Sequence, residues 1–314
     1  MITLPALRLL RKAWPAARIE LVGNARAAKL GVLGGYLDGA HSQQEARWSA
    51  LYSTTPLPPT LVGWLQSFDL VLSFWPDPDG ALAGHFPLRD GQIFLNGTAA
   101  PATAPAARHF CEPLRSLGLT TDDFCSQWPL TAAADAPGPL VTQPSPAPDS
   151  LGSVTSDPWS STREAPAHLP PAGSIAIHPG SGSAVKNWPD ERWLELVALL
   201  DAPILLILGE VELGRWNAPL VERLSFNCRR RLQVANQLPL PELARTLRKC
   251  RLFIGHDTGI SHLAAAVGQP CVLLFGPTDP AMWAPTGPDV RVIRRGLTLD
   301  SISVHDVLQQ CGRA

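Results

Sequence analysis

SIAIHPGSGSAVKNWPDERWLELVALLDAPILLIL, residues 174–208, decides the fold. Residues 174–178 read as a short buried strand that Pro179 and Gly180 end. Between 189 and 200 the apolar residues return at helical spacing, with Trp193, Leu196, Val197 and Leu200 on one face. PILLIL, 203–208, is a second apolar run. Neither strand alternates polar with apolar, so each is buried on both faces. That belongs to a parallel sheet with helices on either side. The same alternation continues outward. The spacing predicts a helix over roughly 212–224, a strand over 232–235, and a helix over 240–250 with Leu243, Leu247 and Cys250 aligned. A strand over 252–255, a helix over 261–267 and a strand over 270–275 follow. Toward the N-terminus the pattern is sparser. It predicts a helix over 4–14, a strand over 18–22, a helix over 25–33, a buried strand over 68–74 (FDLVLSF) and a helix over 106–117.

The 314 residues, 45% of them hydrophobic, suffice for two domains that each bury a core. Of 32 prolines, many lie in 131–172, a Pro/Ala/Ser-rich stretch with few large apolar residues. Such a segment cannot offset its ordering entropy and is expected to be a flexible linker. The expected organisation is one domain over 1–130, the linker, and a second domain over 173–314. A net charge of −1 gives no basic excess, so nucleic acid is not an expected partner. The six cysteines (111, 125, 228, 250, 271 and 311) form no C-x-x-C pair, and Cys250 and Cys271 sit in apolar surroundings as small core residues. No signal peptide is recognised and no apolar stretch reaches the roughly 20 residues of a membrane span. A cytoplasmic protein is expected, with peripheral membrane contact left open.

The chain opens directly on a helix. A doubly wound domain begins with a strand that lies in the middle of its sheet. A gap between the strands near 20 and 70 is therefore expected, either because the chain starts downstream of such a strand or because the domain is degraded.

Four stretches can carry chemistry, and each follows a strand. In HPGSGSAVKNWP, 178–189, Ser181, Gly182 and Ser183 let backbone N–H groups approach an anion, and Lys186 adds a full charge. The plainer alternative is a simple turn with Lys186 in solvent. In GHDTGISH, 255–262, Asp257 is placed to cap a helix, Thr258 and Gly259 to offer a hydroxyl and free N–H groups, and His262 to point at the same ligand. The alternative is that Asp257 only caps and His262 is a satisfied polar residue. Both loops leave the C-terminal ends of strands in one parallel sheet, where open α/β sheets bind ligands. In GEVELGRW, 209–216, an acidic residue suits a ribose diol, Glu212 first and Glu210 second, against an exposed surface Glu. FGPTDP, 275–280, shapes a loop, with proline fixing φ. Trp48, Trp64 and Trp75 could stack on sugar rings, with core packing the plainer fate.

HPGSGSAVKNWP, the run GHDTGISHLAAAVGQP and LFGPTDP, in this order and spacing, resemble glycosyltransferase family 9, which includes the lipopolysaccharide heptosyltransferases. The match spans most of 173–314. The segment ITLPALRLLRKAWPAARIELV looks like the family's first helix and second strand. The resemblance implies a GT-B fold, two Rossmann-like doubly wound domains facing across a cleft, with the acceptor on the N-terminal side. It implies sugar transfer with inversion and no required metal or cofactor. The donor would be a nucleotide-diphosphate sugar, ADP-heptose among the candidates. The acceptor would be a lipid-linked or core oligosaccharide at the inner face of the membrane. By position, Ser181, Gly182, Ser183, Lys186, Asp257, Thr258, Gly259 and His262 would hold the donor's diphosphate and sugar, and Glu212 its ribose. Lys186 and His262 would act in catalysis. The resemblance departs at one point: the family's general-base Asp falls before Met1. Two other functions stay open, a nucleotide-sugar-binding protein without catalysis and a GT-B-shaped sugar-nucleotide epimerase.

Overall fold

The structure is a computed structural model that describes residues 1–53, 55–124, 170–209, 212, 216, 218–228 and 231–312. Most of the expected linker, 131–169, and Glu210 lie outside the described residues. In the N-terminal half, helix α1 (Leu4–Ala13) leads to strand β1 (Glu20–Gly23), α2 (Ala25–Leu33) and β2 (Gly39–Ser42). Then come α3 (Pro59–Gln66), β3 (Leu70–Ser73), α4 (Ala81–His85), β4 (Ile93–Asn96) and α5 (Ala106–Cys111). The C-terminal half begins with β5 (Ile175–His178), α6 (Asp190–Leu199), β6 (Ile204–Leu208), α7 (Ala218–Asn227) and β7 (Leu232–Asn236). It continues with α8 (Leu240–Leu247), β8 (Leu252–His256), α9 (Gly259–Ala266), β9 (Cys271–Phe275), α10 (Pro280–Trp283), β10 (Val290–Arg294) and α11 (Val304–Cys311).

The C-terminal half is one six-stranded sheet, all parallel, in the order β7-β6-β5-β8-β9-β10. The chain starts at the centre on β5, builds outward to β7, then returns to the other side of β5 with β8. That reversal makes a crevice between β5 and β8 at their C-terminal ends. Alternate residues of each strand serve opposite faces. Ile175, Ile177, Leu206, Ile254, Val272 and Leu274 pack with Trp193, Leu196, Val197, Leu224 and Val307 of α6, α7 and α11. Ala176, Leu205, Ile207, Phe253 and Leu273 pack with Leu243, Leu247, Leu263 and Ala264 of α8 and α9. Cys250 and Cys271 are buried in this second layer, and burial pushes the Cys250 thiol up to about 12.

The N-terminal half shows the expected gap. β1 pairs in parallel with β2, and β3 with β4, but among the described residues β1 and β3 do not pair. The opening between them is a cavity of about 790 Å³, walled by Leu7 and Leu10 of α1 with Leu21, Leu70, Leu72 and Phe74. This corrects the expectation of a buried strand near 70. β3 is half-buried along its length because one of its edges faces the opening. On the other face Trp48 is buried and Trp64 and Trp75 pack beside it, so the plainer fate of these rings holds. The expected helix over 106–117 is α5 followed by a turn of tighter helix, Glu112–Leu117, with Pro113 at its start. The two halves meet where α2 packs on α8, and Leu4 and Leu30 share a core with Leu243 and Leu263.

One boundary moves in a way that matters for the site. α7 begins at Ala218, not near 212. Glu212 therefore belongs to the loop after β6, and its carbonyl accepts the Trp216 N–H at 2.8 Å.

Candidate functional site

The register of β5 against β8 puts His178 opposite Gly255, so the loops that follow leave the sheet side by side. His256, fully buried, joins them. Its Nε2 accepts the Trp188 N–H at 3.0 Å, and its Nδ1 lies 3.5 Å from the Gly180 carbonyl. The Trp188 indole N–H in turn donates to the Ile302 carbonyl at 2.9 Å. Across the same crevice Lys186 Nζ donates to Asp257 Oδ2 at 2.8 Å, with both side chains largely withdrawn from solvent. This removes one plainer alternative and corrects one expectation. Lys186 is not a solvated cation, and Asp257 does not cap α9. The cap is Thr258, whose Oγ1 accepts the Ser261 N–H at 3.3 Å from an extended backbone. The Asp257 carboxylate is drawn to the ammonium instead, and one residue later a hydroxyl reaches the first turn. Ser261 Oγ closes the corner by donating to the His256 carbonyl.

Ser181 Oγ donates to the Ser183 carbonyl at 2.6 Å and holds the first loop in a tight bend. At Gly182 and Gly259 nothing stands within 4 Å of where a Cβ would be. The backbone at both positions is open to an approaching group. In the fourth stretch Asp279 caps α10 by accepting the Ala281 N–H at 3.1 Å, the expected loop-shaping role.

Glu212 is not an exposed surface residue. It is buried, and Oε2 accepts the Gly209 N–H at 2.8 Å. A Cβ on Gly180 would lie 2.1 Å from its side chain, and one on Gly209 2.8 Å from Oε2. Two glycines at adjacent strand ends thus make the slot for this carboxylate. His178 is buried too, with Nδ1 3.1 Å from the Ile207 carbonyl. Burial lowers the His178 pKa, offset in part by that bond and by the Glu212 charge.

A cavity of about 970 Å³ lies between the two halves. Its C-terminal wall includes His178, Glu212, Gln237, Gly259, His262 and Trp283. The facing wall includes Asn24, Arg26, Lys29 and Phe110, and among the described residues it carries no carboxylate. Of the residues singled out in the sequence, Glu212, Gly259 and His262 line this cavity, while Ser181, Gly182, Ser183, Lys186, Asp257 and Thr258 do not. His262 is buried, and its Nδ1 has no hydrogen-bond partner. Burial lowers its pKa to about 4, against the opposing pull of Asp257 and the Trp283 backbone. It is a neutral imidazole at pH 7. His178 and Gln237 escaped the sequence reading. The first could have been noticed as the polar residue that ends an apolar strand. The second has φ of 49°, a left-handed turn that nothing in its sequence announces.

Solved structures share this two-sided arrangement. The glycosyl transferase family 9 protein of Veillonella parvula superposes with a TM-score of 0.68 at 18% identity, covering 99% of this chain and 92% of that one. E. coli heptosyltransferase WaaC with ADP gives a TM-score of 0.66 at 19% identity, covering 99% and 95%. The fold is GT-B, two Rossmann-like halves across a cleft. The sequence model of glycosyltransferase family 9 (heptosyltransferase) matches residues 146–307, just over half of the chain. The chain belongs to this family. Lipopolysaccharide heptosyltransferase 1 of Escherichia coli O18:K1:H7 is 33% identical over 129 residues, 40% of this chain and 38% of that protein. Its counterpart from strain K12 is 34% identical over 113 residues, covering 35% and 34%. The sequence matches to these curated relatives thus span under two fifths of their length.

Proposed function

We propose that the protein is an inverting glycosyltransferase. It would move a heptose or similar sugar from a nucleotide-diphosphate donor to a lipopolysaccharide-core or other glycan acceptor, in the cytoplasm at the inner face of the membrane. The observation that carries this is the set of groups converging on the C-terminal ends of β5, β6 and β8: Glu212, the Lys186–Asp257 pair and the open start of α9. In the proposed reaction an acceptor hydroxyl attacks the anomeric carbon from the face opposite the diphosphate. The bond from that carbon to the diphosphate oxygen breaks, its electron pair stays on the oxygen, and the hydroxyl proton leaves to a base. Charge builds on the departing diphosphate. Lys186 and the N–H groups at the start of α9 stabilise that charge more in the transition state than in the ground state. Asp257 steers the ammonium. His262, uncharged, offers a hydrogen bond and not a positive charge. Glu212 accepts from the ribose.

A second function, a protein that binds a nucleotide sugar without transferring it, is separated from the first by experiment. A thermal-shift screen across sugar nucleotides comes first, since a ligand of the native state raises its melting temperature. ADP-heptose is expected to raise it, and labelled sugar is expected to pass to a core-oligosaccharide acceptor. A shift without transfer supports the binding protein, an epimer formed from the donor alone supports an epimerase, and no shift with any sugar nucleotide overturns the proposal.

A further inference from the structure

His178 enters none of the roles above, yet its surroundings fix what it can do. It ends β5 at the C-terminal edge of the sheet and, like Glu212, is one of the residues that line the cavity. Nδ1 faces the Ile207 carbonyl at 3.1 Å. A carbonyl oxygen only accepts, so Nδ1 carries the hydrogen and, in the neutral ring, Nε2 keeps a lone pair. Among the described residues Nε2 has no hydrogen-bond partner. On the same cavity wall, near enough for its charge to act on the ring, stands the Glu212 carboxylate, which accepts one backbone N–H, from Gly209. The corner of the cavity between β5 and β6 therefore presents two acceptors, one neutral and one anionic. Such a corner repels phosphate and carbonyl oxygen. It suits a group with two donors a few ångströms apart, and a vicinal diol has that geometry.

We infer that His178 Nε2 and the Glu212 carboxylate together receive the two ribose hydroxyls of the donor nucleotide, which makes His178 a specificity residue for ribonucleotide over deoxyribonucleotide. The inference deepens the proposed donor site and rests on it. Gly180 is part of the device. With no side chain it lets Glu212 lie against the turn after His178, so the two acceptors share that corner.

The test is calorimetric binding of ADP, 2′-deoxy-ADP and 3′-deoxy-ADP to the wild type and to His178→Asn. Asparagine keeps a donor near the Nδ1 position for the Ile207 carbonyl and has no group at the Nε2 position. The wild type is expected to bind ADP about tenfold more tightly than at least one deoxy analogue, the value of roughly one hydrogen bond. His178→Asn is expected to bind ADP about tenfold more weakly and to lose preference against that analogue. A variant that keeps the full preference overturns the inference and leaves the donor site standing. Failure of the wild type to bind any of the three overturns both. The nitrogen NMR signal of His178 in the wild type gives an answer independent of how the variant folds. Nε2 should be unprotonated in the free protein and shift with ADP more than with the analogue. A protonated Nε2, or equal shifts, also overturns the inference.

Discussion

A lysine whose ammonium already touches a carboxylate meets its ligand half neutralised. Lys186 stands 2.8 Å from Asp257, so the pair brings orientation at little net charge. When a diphosphate arrives, the ammonium has three donors to divide between partners. Lys186→Ala is expected to lower kcat/KM more than tenfold, at least about 1.4 kcal/mol of transition-state stabilisation. His262→Ala should do the same, and steady-state kinetics with ADP-heptose checks both. His262 also sets an acid limit. Its pKa falls from 6.5 to about 4 on folding, chiefly through burial. Between those values the unfolded chain holds a proton that the folded chain does not. Stability from this group is therefore complete above about pH 6.5 and is lost as pH falls toward 4, by roughly 2 kcal/mol between pH 7 and 5. Burial lowers the His178 pKa in the same direction. Urea titrations at the two pH values should show the loss, and His262→Gln should reduce it.

At the scale of the element, α9 depends on Thr258. Thr258→Ala should cost about 1 kcal/mol in chemical denaturation and Thr258→Ser much less, since only the hydroxyl caps. How far the sequence showed these things varied with the kind of interaction. β5, β6, β8 and β9 were legible because each is a largely apolar run without polar alternation, buried on both faces. β2 (GAHS) and β4 (IFLN) escaped because they are short, half-exposed and carry no period. The site was legible as a set of loops, since strand ends announce themselves. Its wiring was not. That Asp257 would turn to Lys186 across 71 residues, leaving Thr258 to cap, depends on how two loops lie side by side and not on either loop's sequence.

At the scale of the whole molecule, the two halves are unequally built. The C-terminal half has a six-stranded sheet with a core on each face. The N-terminal half has two-stranded sheets and smaller clusters around Trp48 and Leu114. Backbone amides of β1 and β3 should exchange hydrogen faster than those of β8, because opening them breaks fewer buried contacts. Mass spectrometry of exchange at pH 7 would read the difference directly. Leu30, shared with Leu243 and Leu263, ties the halves together, so Leu30→Ala should destabilise by about 2–4 kcal/mol and speed exchange in α8 as well as α2. The separation of β1 from β3 bears on how the protein behaves in a tube. Backbone edges left unpaired among the described residues are a template for pairing between molecules, and apolar walls beside them add adhesion. Sedimentation velocity should find reversible self-association as concentration rises, resistant to salt because hydrogen bonds and apolar contact drive it more than charge.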